Sequence, residues 1–291
     1  MKLRKVAVRA ARLLPDYLYI KLQYRVILGN WPNLRNPKTF NEKLQWLKIH
    51  DRKPEFTMMA DKYLVKDYIA KTIGAQYVIP TYGVWNRVED IEYEKLPDRF
   101  VLKCTHDSGS VIVCRDKNKL DIPETNKKLS LSMKKSGYWY GREWPYKNIP
   151  HRIIAEQYLE DSTSDTIRDY KFFCFNGVPK FIYISEGLEN HATAHIAFYD
   201  FEGNEMPFHR DDYKQFDIDP VMPSNTEEMR QLSEKLAQEI PCPFVRTDFY
   251  SINGKTFFSE ITFTPCSGLM PLAPREWDTT IGSWLNLNAK A

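Results

Sequence analysis

No run of about 18 apolar residues occurs in this 291-residue chain, so no membrane-spanning helix is expected. Cysteine is sparse. The five (Cys104, Cys114, Cys174, Cys242, Cys266) are odd in number, scattered and without a CxxC pair, which argues against a disulfide framework or a zinc site and for a reducing cytoplasm. The common nucleotide fingerprints are missing. There is no GxxxxGK[ST] and no GxGxxG, and neither GxSxG nor HExxH occurs. Residues 1–28 are basic but lack a signal peptide's order: charges continue through Arg9 and Arg12, and no small-residue cleavage site follows. Internal repeats and low-complexity tracts are also lacking.

What is present is ordinary core material, 43% hydrophobic and 27% charged, enough for one large domain or two to three tightly joined subdomains. The net charge of +3 hides an asymmetry. Residues 1–55 hold 13 Lys/Arg against 4 Asp/Glu, net +9, which leaves −6 for the rest. Leu3, Val6, Ala7, Ala10, Leu13 and Leu14 recur at helical steps, with Lys2, Lys5, Arg9 and Arg12 mostly off that stripe, and Pro15 closes the pattern. Two readings fit: peripheral contact of residues 1–28 with the inner face of a membrane, or a packing helix with a solvated basic side. No nucleic-acid-binding motif accompanies the basic segment, so nucleic acid is not an expected partner.

Thr39 followed by Glu42 predicts a capping box opening a helix through Leu44 and Leu47. A second helix is predicted from about Phe56 to Ile73, with Gly74 as its left-handed C-terminal residue. Strands are expected at Phe100 to Cys104, Ser110 to Cys114 and Arg152 to Leu159. Asn176-Gly177 and Asn253-Gly254 predict two hairpins with type I′ turns, because both central residues tolerate positive φ. Ser224 with Glu227 predicts another capped helix, Asp278 a further cap, and Trp284 an anchor. Hairpins mixed with helices indicate α+β.

Four segments carry candidate chemistry. In residues 100–113, a strand-end lysine and a small polar loop would set Lys103 and the amides of Ser108, Gly109 and Ser110 around a polyphosphate. A hairpin turn with a surface lysine fits that segment too. In residues 153–161, Glu156 lies inside an apolar strand, where burial demands a partner such as a nucleotide base amino group; an edge-strand glutamate facing water is the alternative. In residues 168–177, Asp169 and Lys171 project to one side of a strand, suiting ribose and phosphate or a plain salt bridge. In residues 245–262, Arg246 and Asp248 share a face, and the Asn-Gly hairpin can bring Glu260 beside Asp248. Two converging carboxylates beside an arginine suit Mg²⁺ carrying nucleotide phosphates, or stand as solvated acids.

These segments, in this order, resemble the ATP-grasp superfamily, and more closely its TupA-like branch, associated with teichuronopeptide and capsular polysaccharide biosynthesis. The closer similarity lies in NPKTFNEKLQWLK, ADKYLVKDYI, LPDRFVLKCTHDSGS, EWPYKN with IIAEQYL, RDYKFFCFNG, and VRTDFY with FFSEITFTPCSG, from about Asn36 to Leu285. The resemblance implies an ATP-grasp fold of two α+β subdomains, residues 76–160 as lid and 161–291 with the Mg²⁺ site, after a basic helical region 1–75. It implies that Lys103 contacts ATP phosphate under the loop Ser108, Gly109 and Ser110. Glu156, Gln157, Tyr158 and Leu159 would hold adenine, and Asp169 the ribose. Arg246, with Lys103 and Lys171, would act on the transferring phosphate, while Asp248, Glu260 and Thr262 bind Mg²⁺. Thr262 stands where many ATP-grasp enzymes have asparagine, and Asp107 and Cys266 stand where glycine is common.

The chemistry implied is ATP- and Mg²⁺-dependent ligation of a carboxylate to an amine through an acyl phosphate, with a uronic acid or glycan as donor. Two rivals come from other classes. Asp217-Ile218-Asp219 matches the DxD of glycosyltransferases, and Thr262 with Asp107 would suit a degenerate ATP-binding scaffold. The stretch Tyr138, Trp139, Tyr140, Arg142 and Trp144 would either stack on a sugar or nucleotide, or pack as a loop. His191 and His195 are four apart but read as strand rather than a helical metal pair. His106 fits a phosphate contact or a turn residue, and Cys266 a position near substrate.

Overall fold

The computed structural model describes residues 12–162, 166–188 and 192–288. Most of the basic periodic segment, residues 3–10, and His191 therefore lie outside the described residues. Four helices come first: α1 (Asp16–Leu28), α2 (Phe40–His50), α3 (Glu55–Ala60) and α4 (Val65–Thr72). A four-stranded antiparallel sheet follows, ordered β1-β4-β2-β3, from β1 (Thr81–Trp85), β2 (Phe100–Cys104), β3 (Ile112–Cys114) and β4 (Ile153–Gln157). Helices α5 (Ile122–Met133) and α6 (Tyr138–Gly141) lie between β3 and β4. The second sheet is ordered β10-β9-β5-β6-β7, from β5 (Asp169–Phe175), β6 (Val178–Glu186), β7 (His195–Tyr199), β9 (Phe244–Ile252) and β10 (Lys255–Thr262). A two-residue pair joins β8 (His209–Arg210) to β11 (Leu272–Ala273), and α7 (Thr226–Glu239) and α8 (Glu276–Trp284) complete the chain's helices among the described residues. The architecture is α+β, as expected.

Local chemistry explains the boundaries that the sequence marked well. Thr39 and Glu42 form the reciprocal capping box of α2. Asn176 and Gly177 take φ 49° and 83°, and Asn253 and Gly254 take 51° and 75°, so both hairpins turn through positive φ.

Four other expectations differ. The helix expected over 56–73 breaks at Asp61, a fully buried carboxylate that accepts from the Tyr63 and Leu64 amides and pairs with Arg152 at 2.8 Å. Gly74 has φ 129° and ψ 144°, outside the left-handed helical well. Ser224 and Glu227 form no capping box: Asn225 precedes α7 without a side-chain cap, and Glu227 pairs with Arg230 instead. Asp278 lies within α8 and accepts from the Asn41 amide, so it serves the first turn of α2 rather than its own helix.

The five-stranded sheet is packed on both faces. One face meets α3, α4 and α7 through Phe172, Ile182, Phe249, Met229 and Leu236. On the other, Phe173, Phe175, Phe181 and Phe244 pack against α2 and α8, and Trp284 contacts Phe175 edge-on at 5.8 Å as the expected anchor. Burying a phenylalanine fully is worth roughly 2–3 kcal/mol over leaving it exposed, so this layer fixes the sheet on its helices. The aromatic layer covers only part of that face. Lys171, two residues before Phe173 on the same side of β5, begins a polar remainder that α2 and α8 leave for the four-stranded sheet.

Candidate active site

The four-stranded sheet packs Phe100, Leu102, Cys104, Ile153 and Ala155 against α5 and its flanking turns. Alternation then sends Lys103 and Glu156 to the opposite face. Glu156 is buried, and β4 lies between β1 and β2, so the edge-strand alternative does not hold. Its two oxygens meet two ammonium groups: Lys103 Nζ at 2.5 Å and Lys66 Nζ, from α4, at 2.5 Å. Burial alone would raise the Glu156 pKa, but the two lysines outweigh it and hold the carboxyl below its usual range. In this structure the partners of Glu156 are Lys66 and Lys103.

The loop after β2 is internally braced. Ser110 Oγ donates to Asp107 Oδ1 and accepts from the Cys104 amide, while Lys62 Nζ donates to the Asp107 carbonyl at 2.7 Å. Asp107 thus spends its charge inside the loop, and Ser108 and Gly109 stand exposed at its tip. At the end of β4 the Gln157 amide donates to Pro80 O, and Leu159 joins a small apolar cluster with Ile79 and Ile252, flanked by Ile167, Tyr250 and Phe257.

Across from these residues, three strands of the second sheet present one polar face. Register pairs Lys171 with Asp248, Asp169 with Tyr250, Glu260 with Asp248, and Thr262 with Arg246. Arg246 grips Asp248 with two bonds of 2.7 and 2.6 Å and donates to Thr262 Oγ1, which in turn donates to Glu260. Lys171 Nζ lies 3.1 Å from Asp169 and 3.4 Å from Asp248. Burial raises the Asp169 pKa, with Lys171 opposing it. Burial also works to raise Glu260, but Lys62, Arg246 and Lys171 together hold it below its usual value. The Tyr250 phenol is pushed well upward by Asp169 and by burial, and it also feels Glu156. The Glu156 cluster and the Asp169–Asp248 cluster are thus near enough for Tyr250 to feel both.

The Asp248–Glu260 alignment depends on a slip in the ladder. From the hairpin, Ile252 pairs with Lys255 and Phe249 with Phe258, a register that would set Glu260 against Thr247 on the opposite face. An extra residue, Ser259, is inserted before Glu260, and the slip returns Glu260 to the side of Asp248.

The donor set fits Mg²⁺. Among the described residues no three His, Cys, Asp or Glu side chains gather into a ready cage. Mg²⁺ does not require one, because it is commonly held by one or two carboxylates together with phosphate oxygens and water. Asp248 and Glu260 supply hard oxygens, and Thr262 a weaker one. The fork of Arg246 on Asp248 is the contact that a cation would share or loosen.

Other sequence candidates fall elsewhere. His106 is buried, its ring stacked on His151 at 3.6 Å and its Nε2 on the Ser132 carbonyl, so it does not face the loop tip. The aromatic stretch forms the short helix α6 and the turn after it rather than a loop: the Arg142 guanidinium lies over the Tyr19 and Trp139 rings, Trp144 donates to Lys53 O, and Tyr140 stays exposed. Asp217 and Asp219 lie past β7, the far edge of the sheet from Asp248, where Asp219 accepts from Tyr199. Cys266 is exposed, and its Sγ lies 2.9 Å from Arg210 Nη1. Desolvation by its surroundings nonetheless raises the thiol pKa against Arg210 and Arg246, the reverse of an activated nucleophile. Sequence reasoning missed Lys62 and Lys66. Their four-residue spacing in ADKYLVKDYI was the available signal.

The TupA-like ATP-grasp family model matches residues 42–286. Among curated proteins none matches the chain. Solved structures with a distant likeness include an L-amino acid ligase from Bacillus licheniformis, at 13% identity and TM-score 0.44, covering 79% of this chain and 50% of that one. D-alanine–D-alanine ligase from Helicobacter pylori matches at 13% and 0.42, covering 79% and 64%. The Bacillus anthracis D-alanine–D-alanine ligase complexed with ATP matches at 16% and 0.40, covering 71% and 55%. The chain therefore spans between half and two thirds of the length of these three proteins. The assignment rests on the family model, which covers most of the sequence: this chain belongs to the TupA-like ATP-grasp family.

Proposed function

We propose that this protein is an ATP- and Mg²⁺-dependent carboxylate–amine ligase whose nucleotide lies in the cleft between the two sheets. The observation that carries this reading is the Asp248–Glu260 pair flanked by Arg246 and Lys171. In this reading residues 76–160 form the lid, residues 161–291 the cation-bearing half, and residues 1–75 a helical region that lends Lys62 and Lys66 to the cleft. Asp248 and Glu260, with Thr262, hold the metal; when bound, it offsets phosphate charge and orients the terminal phosphoryl group. Lys103 and the amides of Ser108, Gly109 and Ser110 hold phosphate oxygens. The apolar cluster at Ile79, Leu159 and Tyr250, with Glu156, Gln157 and Tyr158 along its rim, receives adenine. Asp169 accepts from the ribose.

The reaction is two displacements. A donor carboxylate oxygen attacks the γ-phosphorus and the bond to the β-phosphate oxygen breaks, giving ADP and an acyl phosphate. Arg246 and Lys171 stabilise the equatorial oxygens. An amine then attacks the acyl carbon, phosphate leaves, and the amine loses a proton to solvent. No protein nucleophile is required. A uronic acid or a glycan bearing one is the donor class that the family's association with cell-surface polysaccharides favours.

The test is ADP and phosphate release from Mg-ATP against uronic acids, each with mixed amino acids and amines, alongside Asp248→Asn and Glu260→Gln. Release that needs donor and amine together, and is lost in both variants, supports the ligase. ATP binding with no turnover against any pair would favour a degenerate scaffold, and no ATP binding at all would overturn the reading.

A further inference from the structure

Helix α1 turns an apolar stripe outward. Its buried side is Ile20 and Tyr24, and Tyr19 and Gln23 donate to the Tyr140 carbonyl. On the opposite side Leu18, Leu22 and Val26 follow one another at four-residue steps and are 43%, 39% and 81% exposed. They form a line of about 12 Å along the helix. Large aliphatic side chains aligned this way on open surface mark contact with something apolar.

The charges around the stripe say what kind of surface it meets. Lys21 and Arg25 lie on the same outward arc, one helical turn apart, and the helix has a single acid, Asp16. Asp16 faces inward, held by Arg52 at 2.7 Å and by Tyr138 and Arg142. The outer arc is thus apolar and cationic with no carboxylate of its own helix. Trp31 follows just past the end of α1, 57% exposed, with Lys21 Nζ 5.9 Å from its ring. An aliphatic line between cations, with a tryptophan at one end, matches a surface that offers hydrocarbon beneath anionic headgroups.

We propose that the outer face of α1 docks this protein on an anionic lipid bilayer, with Leu18, Leu22 and Val26 entering the headgroup boundary and Lys21 and Arg25 meeting lipid phosphates. The stripe belongs to residues 16–28, C-terminal to the periodic segment that the sequence singled out. This docking is independent of the proposed ligase chemistry, since none of these side chains faces the cleft.

The experiment is co-sedimentation of the full chain with phosphatidylcholine vesicles, with and without phosphatidylglycerol, at low and high salt. Two surface variants run alongside, Lys21→Glu/Arg25→Glu and Leu22→Asp/Val26→Asp, with light scattering for oligomeric state. Binding to the anionic vesicles is expected, weakened by salt and by at least about tenfold in each variant, since one cation near such a surface is worth roughly fivefold. Four results would overturn the proposal. One is no binding to either vesicle, and another is binding unchanged in both variants. A third is binding that only removal of residues 1–11 abolishes. The fourth is a concentration-dependent dimer that Leu22→Asp/Val26→Asp dissociates, which would mean that a second copy covers the face.

Discussion

Asp248 and Glu260 are cross-strand partners because the β9–β10 ladder slips by one residue at Ser259. Their roles in stability are nonetheless unequal. Asp248 is almost fully buried, gripped by both bonds of Arg246 and approached by Lys171, whereas Glu260 is half-buried, accepts from the Thr262 hydroxyl and feels Lys62, Arg246 and Lys171 through space.

Asp248→Asn should therefore destabilise the fold by about 3 kcal/mol, because it leaves Arg246 with no carboxylate in its fork. Glu260→Gln should cost under about 1 kcal/mol, since the Arg246–Asp248 pair survives it. Both should abolish Mg-ATP turnover. Urea unfolding of the two variants beside wild type checks the contrast. Equal losses of stability would show that the pairing with Arg246 is not what distinguishes the two acids.

Much of this site was legible in the sequence, and the reason is local chemistry. The Asn-Gly hairpin and strand alternation together put Arg246 and Asp248 on one face and bring Glu260 near. The slip at Ser259 was not legible, because a bulge is chosen by the packing of both faces and leaves no mark of its own in SINGKTFFSE. Lys62 and Lys66 escaped notice for a different reason. They sit in a stretch that reads as one amphipathic helix, and the break at Asp61 is set by Arg152, 91 residues away. Asp278 shows the same limit: a helix-start residue read as its own helix's cap, it bonds the amide of a helix 237 residues distant. Pairings of that kind are fixed by tertiary contact, which periodicity does not encode.

Glu156 couples the four-stranded sheet to α4 through its two lysines. Removing its charge by Glu156→Gln would leave Lys66 and Lys103 facing each other in a buried site, and the expected loss is about 3 kcal/mol. The pH dependence has a definite sign. The folded carboxyl titrates below its ordinary 4.5, so its stabilisation is fully present above that value and is lost as pH falls through the folded pKa. Acid unfolding of wild type and variant should thus converge as pH drops, and parallel curves would sink the assignment.

The stacked His106–His151 pair makes a second acid-sensitive point, at the base of the loop after β2. Burial, and then the neighbouring ring, lower the His106 pKa below 6.5, with Asp107 favouring the cation and Lys62 opposing it. A base with a depressed folded pKa gives stability that is present above 6.5 and is lost as pH falls. His106→Phe keeps a ring in the stack and removes the titration. The variant should lose less stability than wild type on acidification below 6.5, which denaturant midpoints at matched pH would reveal. Identical slopes would count against the pair.

Lys48 tests the same physics from the alkaline side. It is buried on α2 and donates to the carbonyls of Gly141 and Ser267, tying the aromatic stretch to the turn after β10, where Cys266 and Ser267 hold φ of 51° and 55°. Burial lowers its pKa from 10.5 to about 8, with Glu143 and Asp16 opposing the shift. Between those values the unfolded chain binds the proton and the folded chain does not, so stability rises with pH. Across the whole window the gain is on the order of 3 kcal/mol, at about 1.4 kcal/mol per pH unit. Other groups titrate there too, and Lys48→Met supplies the subtraction: the wild-type minus variant difference should climb from about pH 8 and level off near 10.5. A difference that stays flat through that window would mean that the buried amine keeps its proton and that the two carbonyls alone suffice to hold it charged.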